Sequence, residues 1–168
     1  HVAPGRLGVG QTETTLLRVP ERAIGYWTHP LIEQSVPHEA ATSRFGETVL
    51  AFQDRDGMRL ALVAVPGAED EPGWSDGAVP AEHAIRGFHG VSLLVADAAP
   101  TAAVLTDVLG LAAAGTDGAH QRFRAAGTAI GGIVDLHAAG GFLAGRMGGG
   151  SVHHVAFRAA DDRAQAEM

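Results

Sequence analysis

The sequence predicts an α+β protein assembled from a repeated strand–helix–strand–strand–strand unit. Three observations carry this. "QTETTLLRVPERAIGYW" (11–27) and "HGVSLLVADAAPTAAVLTDVLG" (89–110) each run from alternating apolar residues into helical sequence. Each is followed by further short strands, punctuated at Asp56-Gly57 in one and Asp117-Gly118 in the other. A third copy of the opening, "HHVAFRAADDRAQAEM" (153–168), ends the chain.

Residues 1–10, rich in Gly and Pro, read as the tail of a preceding connection, and the first unit spans 11–66. Its opening strand ends at Val19, and Pro20-Glu21 supplies first-turn helix chemistry. Tyr26 and Trp27 fall on this helix and are expected in the core. "RFGETVLAFQDRDGMRLALVAV" (44–65) then reads as two strands with Asp56-Gly57 between them. "DRDG" (54–57) lacks the further oxygen ligands and closing Glu of a calcium loop, so it is read as a turn. Residues 67–87, dense in Pro, Gly and acid, read as a linker in which Trp74 is expected to cover a sheet edge.

The second unit spans 88–139. Asp97 is expected to cap its helix and Gly110 to end it. "LAAAGTDGAHQRFRAAGTAIGGIVDLHAA" (111–139) supplies its later strands. Residues 140–150 contain "GRMGGG", which precedes a strand rather than a helix and is read as a flexible connection, not a phosphate cradle. Residues 151–168 read as the start of a further unit.

Composition narrows the chemistry. The 168 residues are 46% hydrophobic and 18% charged, within the range of folded globular chains. A net charge of −7 disfavours nucleic acid and anionic membranes as partners. All twelve basic residues are Arg, which excludes Schiff-base lysine chemistry and a lysine phosphate loop from this stretch. Cys is absent, so thiolate catalysis, cysteine metal sites and disulfides are excluded here. No apolar run reaches the roughly 18–20 residues that span a bilayer, and a cytoplasmic location is expected. The chain opens on His1 and closes inside helical sequence, and is read as a piece of a longer protein.

"RFGETVLAFQDRDGMRLALVA", "VPAEHAIRGFHGVSLLVAD", "IVDLH" and "GRMGGGSVHHVAFRAADD", in that order, resemble the vicinal oxygen chelate superfamily of glyoxalases, bleomycin-resistance proteins and extradiol dioxygenases. The likeness is closest to the four-module dioxygenases that cleave hydroquinone rings, and covers about Pro4 to Asp162. It implies βαβββ modules joined edge to edge into a curved mixed sheet with helices on the outer face. It also implies that the second and third modules are present here, with the start of the fourth. These two complete modules are expected to pair with each other, as a support for a catalytic pair formed by the first and fourth.

Family ligands sit seven residues before the Asp that follows the first strand, and at an acid in a module's last strand. Counting back from Asp161 gives His154, the metal-ligand candidate, and makes His153 a partly buried neighbour. Counting from Asp97 gives Gly90, so His89 is one residue out of register and is expected to face the helices. The other matching positions hold Thr14, Ala61 and Asp135. Asp135 alone could ligate, and it is read as a hydrogen-bonding or solvent-facing acid. His120 is read as structural.

The resemblance therefore implies a fragment of a non-haem Fe(II) extradiol dioxygenase, with Mn(II) as the alternative ion, acting on hydroquinone- or catechol-like aromatics with O2. The remaining His and Glu ligands are expected outside this stretch, leaving the fragment inactive alone. A homo-oligomer is left open. The alternatives are a glyoxalase-like isomerase or lyase, which needs a fuller ligand set, and a metal-free protein that sequesters a small molecule such as an antibiotic.

Overall fold

The computed structural model of the chain describes residues 3–74 and 77–168. One eight-stranded sheet has the order β2-β3-β4-β1-β5-β8-β7-β6. The first half comprises β1 (Gln11–Val19), helix α1 (Ala23–Glu33), β2 (Thr42–Arg44), β3 (Glu47–Gln53) and β4 (Arg59–Ala64). The second comprises β5 (Gly87–Val95), α2 (Ala98–Ala103, continued by a π turn to Val108), β6 (Ala112–Asp117), β7 (His120–Arg124) and β8 (Ile133–Ala138). In each half the first and last strands pair in parallel, and the halves meet where β1 runs antiparallel to β5. The two units thus pair with each other in a curled, mixed α+β sheet.

Turn chemistry sets the hairpins. Between β3 and β4, Asp54 Oδ1 accepts from the amides of Asp56 and Met58, and Gly57 takes φ +84°. In the second unit Asp97 caps α2 by accepting from the Ala99 amide at 3.0 Å. Helix α1 has no side-chain cap and carries Pro30, so its hold comes from packing rather than from its ends.

The helices cover one face of the sheet. Ala23, Ile24 and Leu31 pack on Val19, Leu50, Leu62 and Ala64, while Ala98, Leu105 and Leu111 pack on Phe123, Val134 and Leu136. Burying each of the larger side chains contributes about 1.5–3 kcal/mol. Leu16, Val49, Ala61 and Val63 turn the other way, into the hollow of the curl. The far edges of the sheet touch across that hollow. The Phe45 amide donates to Asp117 Oδ2 at 2.7 Å, and the Arg122 guanidinium lies 4.1 Å from the centre of the Phe45 ring.

The connection 67–87 is docked on the first unit: Ala68 and Ala84 are buried, the Trp27 indole donates to the His83 carbonyl at 2.8 Å, and Arg18 pairs with Glu71. Ser75 and Asp76 lie outside the described residues. Three expectations are corrected. Trp74 covers no edge and is 77% exposed, because it lies on this connection away from both outer strands. The Gly-rich stretch 140–150 is pinned against residues 4–9 by isolated bridges, such as Arg6 to Arg146. A Cβ on Gly148 would lie 2.4 Å from the Ala3 carbonyl oxygen, so glycine here permits close approach of two backbones rather than flexibility. Finally, the strand expected at 153–158 pairs with nothing among the described residues, although helix α3 (Asp162–Glu167) follows it, with Asp161 accepting from the Ala164 amide. Among the described residues no helix is long and apolar enough to cross a membrane.

Candidate functional site

The side chains that bear on the candidate ligands lie in the hollow of the sheet and in a cavity on the helix side.

In the hollow, Asp135 on β8 is fully buried and accepts from Arg122 Nε at 2.8 Å and Nη2 at 2.9 Å. It is a hydrogen-bonding acid, not a solvent-facing one. Arg122 also reaches Glu47 across the curl at 2.5 Å, and His89 Nε2 lies 3.3 Å from the other Glu47 oxygen. Burial raises the Glu47 pKa, but the His89 and Arg122 bonds outweigh it and hold the carboxyl below its ordinary value. Burial likewise opposes the Arg122 charge, and Asp135 and Glu47 more than compensate.

The expected orientation of His89 is overturned. Leu16 pairs with Gly90 while Leu17 pairs with Phe88, so His89 is the extra residue of a β-bulge. The bulge breaks the simple alternation and turns the imidazole to Glu47, away from the helices.

A second bulge lies on the other strand of this seam. Thr12 pairs with Leu93 and Thr14 with Ser92, leaving Glu13 between them. Its carboxylate accepts from Ser92 Oγ and from His137 Nδ1, each at 2.8 Å. The His137 ring stacks on His120 at 4.2 Å, and His120 Nε2 is buried with no hydrogen-bond partner among the described residues. Glu13, His120 and His137 each offer a ligand atom within 4.8 Å of the others, the one such three-residue group among the described residues. Burial raises the Glu13 pKa, yet the bonds from His137 and Ser92 bring it below the ordinary value. Burial, Arg44 and His137 lower that of His120, keeping the imidazole neutral. Glu13 was missed because counting from strand ends assumes unbroken alternation, and a bulge has no signature in alternation alone. His137 lies in unbroken β8 two residues after Asp135, so alternation could have placed it on the same face.

His154 lies elsewhere. It is exposed and lines a cavity of about 490 Å3, together with Leu17, Phe88, Val91, Val155 and Phe157. Leu17 and Val91 share the sheet face covered by the helices, so this cavity is on the convex side. His153 is exposed, not partly buried, since no strand pairing or helix covers it; its Nδ1 is 3.1 Å from His154 Nδ1. No carboxylate forms a ligating group with His154 among the described residues.

No family model matches the chain. It is 37% identical over 161 residues, 96% of its length, to "Putative ring-cleaving dioxygenase MhqO" of Bacillus subtilis, of which it covers 50%. It is 26% identical over 167 residues to a chlorohydroquinone/hydroquinone 1,2-dioxygenase of Sphingobium indicum, covering 98% of this chain and 52% of that protein. It spans about half the length of the curated relatives it matches. The crystal structure of a "putative dioxygenase" from Bacillus subtilis superposes with a TM-score of 0.88 at 36% identity, covering 99% of this chain and 52% of that one. Glyoxalase I from Zea mays shares the fold at 12% identity and a TM-score of 0.54, over 85% of this chain and 48% of that one. With two βαβββ units in one curled sheet and this likeness to ring-cleaving dioxygenases, the chain belongs to the vicinal oxygen chelate superfamily.

Proposed function

We propose that the chain is part of a metal-dependent ring-cleaving dioxygenase that opens hydroquinone- or catechol-like aromatics with O2. The observation that carries this is the 37% identity to a ring-cleaving dioxygenase over nearly the whole chain. In this reading the paired units 11–66 and 88–139 are a supporting body, because the ion network of Arg122, Asp135, Glu47 and His89 fills their hollow. The stretch 151–168 opens a further module.

His154 is proposed as one ligand of Fe(II), with Mn(II) the alternative ion. The described residues do not complete such a site around it, since no group of three ligating residues among them includes it. The partner His and Glu are assigned to chain beyond residues 1–168. Bound there, the ion would supply Lewis acidity that favours the phenolate of a ring hydroxyl. The residues of this chain contribute an apolar lining: Val155 and Phe157 border the cavity beside His154, with Leu17, Phe88 and Val91 also lining it.

The test is oxygen consumption by the native-length, iron-loaded protein with hydroquinone or catechol. Ring-opened product is expected, and His154→Ala is expected to abolish uptake and weaken iron retention. Iron bound with no uptake, or uptake undiminished in His154→Ala, overturns the reading.

A further inference from the structure

Glu13, His120 and His137 come from three strands, β1, β7 and β8, and so bridge the two units across their seam. None occupies a position where this superfamily's ligands are expected, which here hold Thr14, Gly90, Ala61 and Asp135. The group has nevertheless the features of a metal centre. Two imidazoles and a carboxylate form the mixed nitrogen and oxygen set that suits borderline divalent ions, with positions left open. Donors about 2.0–2.2 Å from one ion lie about 3–4.4 Å apart, so the 4.8 Å spread closes with small side-chain rotations.

Two further details point the same way. His120 Nε2 is buried with no hydrogen-bond partner among the described residues, a lone pair that an ion would satisfy. The second Glu13 oxygen is oriented by the Ser92 hydroxyl, as an outer partner orients a ligating carboxylate. A purely structural ion pair needs only Glu13 and His137 and leaves His120 Nε2 unexplained.

We propose that Glu13, His120 and His137 form a second metal site that takes one divalent transition ion of the zinc or ferrous class. The ion clasps β1 of the first unit to β7 and β8 of the second. The site is separate from His154 and does not depend on the ring-cleavage reading.

The test uses the 168-residue chain, stripped with chelator and titrated with Zn(II), and with Co(II) followed by its visible absorption. One equivalent is expected, with a Co(II) spectrum typical of nitrogen ligation, and His154→Ala should bind equally. Ser92→Ala should weaken affinity roughly 10–100-fold. Glu13→Gln, His120→Gln and His137→Gln should each lose more than that while keeping the wild-type circular dichroism. Thermal unfolding should rise with Zn(II) in the wild type and not in these three. No binding at micromolar metal, binding abolished by His154→Ala, or affinity unchanged in the three Gln variants would each overturn the proposal.

Discussion

Arg122 holds Asp135 through two parallel hydrogen bonds of 2.8 and 2.9 Å, with 5% and 0% of their side chains exposed. The acid that matches the superfamily's last-strand ligand position is therefore committed to a guanidinium. Its two oxygens already accept bidentate bonds in a site without solvent. Breaking a buried pair outright costs about 3–5 kcal/mol. Arg122 keeps Glu47 as a second partner, so Asp135→Asn should lower stability in urea unfolding by less than that. Adding Glu47→Gln to Asp135→Asn should deepen the loss, since it removes the guanidinium's remaining anion.

Gly90 shows why no ligand can stand at the position matching the family's first-strand histidine. A Cβ built there would lie 2.1 Å from the Ile133 carbonyl oxygen and 2.6 Å from the Ile133 Cβ. The parallel pairing of β5 with β8 occupies that space with backbone, which cannot move aside as a side chain could. Gly90→Ala should destabilise by about 1–3 kcal/mol, the usual cost of overpacking, and Gly90→His by more. Equal melting temperatures for wild type and Gly90→Ala would contradict this close approach.

With metal removed by chelator, stability should decline over two ranges of pH. His120 has its pKa lowered in the fold from 6.5, so the unfolded chain binds the proton first. Its contribution is complete above pH 6.5 and declines as pH falls below that value. Glu47 has its pKa lowered from 4.5, so its contribution holds above 4.5 and is lost as pH falls through the folded value. His120→Gln should flatten the stability profile just below pH 6.5, and Glu47→Gln should flatten it only below 4.5. Denaturant midpoints across pH 3–8 separate the two limbs.

The strand and helix order was legible because alternation, Asp-Gly turns and the Asp97 cap are local signals, each acting within a few residues. The fully buried role of Asp135 was only half legible, since its Arg122 partner is on a neighbouring strand and sequence spacing does not announce the pairing. His89 and Glu13 were read wrongly or missed for one shared cause. Each is the extra residue of a bulge on the β1–β5 seam, and a bulge is set by how two distant strands fit together. The docking of residues 67–87 was hidden by their Pro, Gly and acid content, which describes turns equally well whether the turns are free or held.

That docking makes the last prediction. Trp27 on α1 donates from its indole to the His83 carbonyl at 2.8 Å, and Tyr26 stacks on the His83 ring at 4.3 Å. Downstream, the Arg86 amide donates to the Arg18 carbonyl at 2.9 Å, continuing the hold into β5. A peptide held by such bonds resists proteases, which need several residues of extended, detached backbone. Native protein should therefore be cut slowly by trypsin after Arg86. Trp27→Phe keeps the ring but removes the donor, costing about 1 kcal/mol and leaving the His83 carbonyl without its bond. Where opening is faster than cleavage, the cutting rate follows the population of the open form. A loss of that size raises the population roughly fivefold. Cleavage after Arg86 should accelerate by the same factor in Trp27→Phe, while cleavage after the exposed Arg55 stays unchanged. Equal rates after Arg86 in both proteins would mean that the indole does not hold this connection.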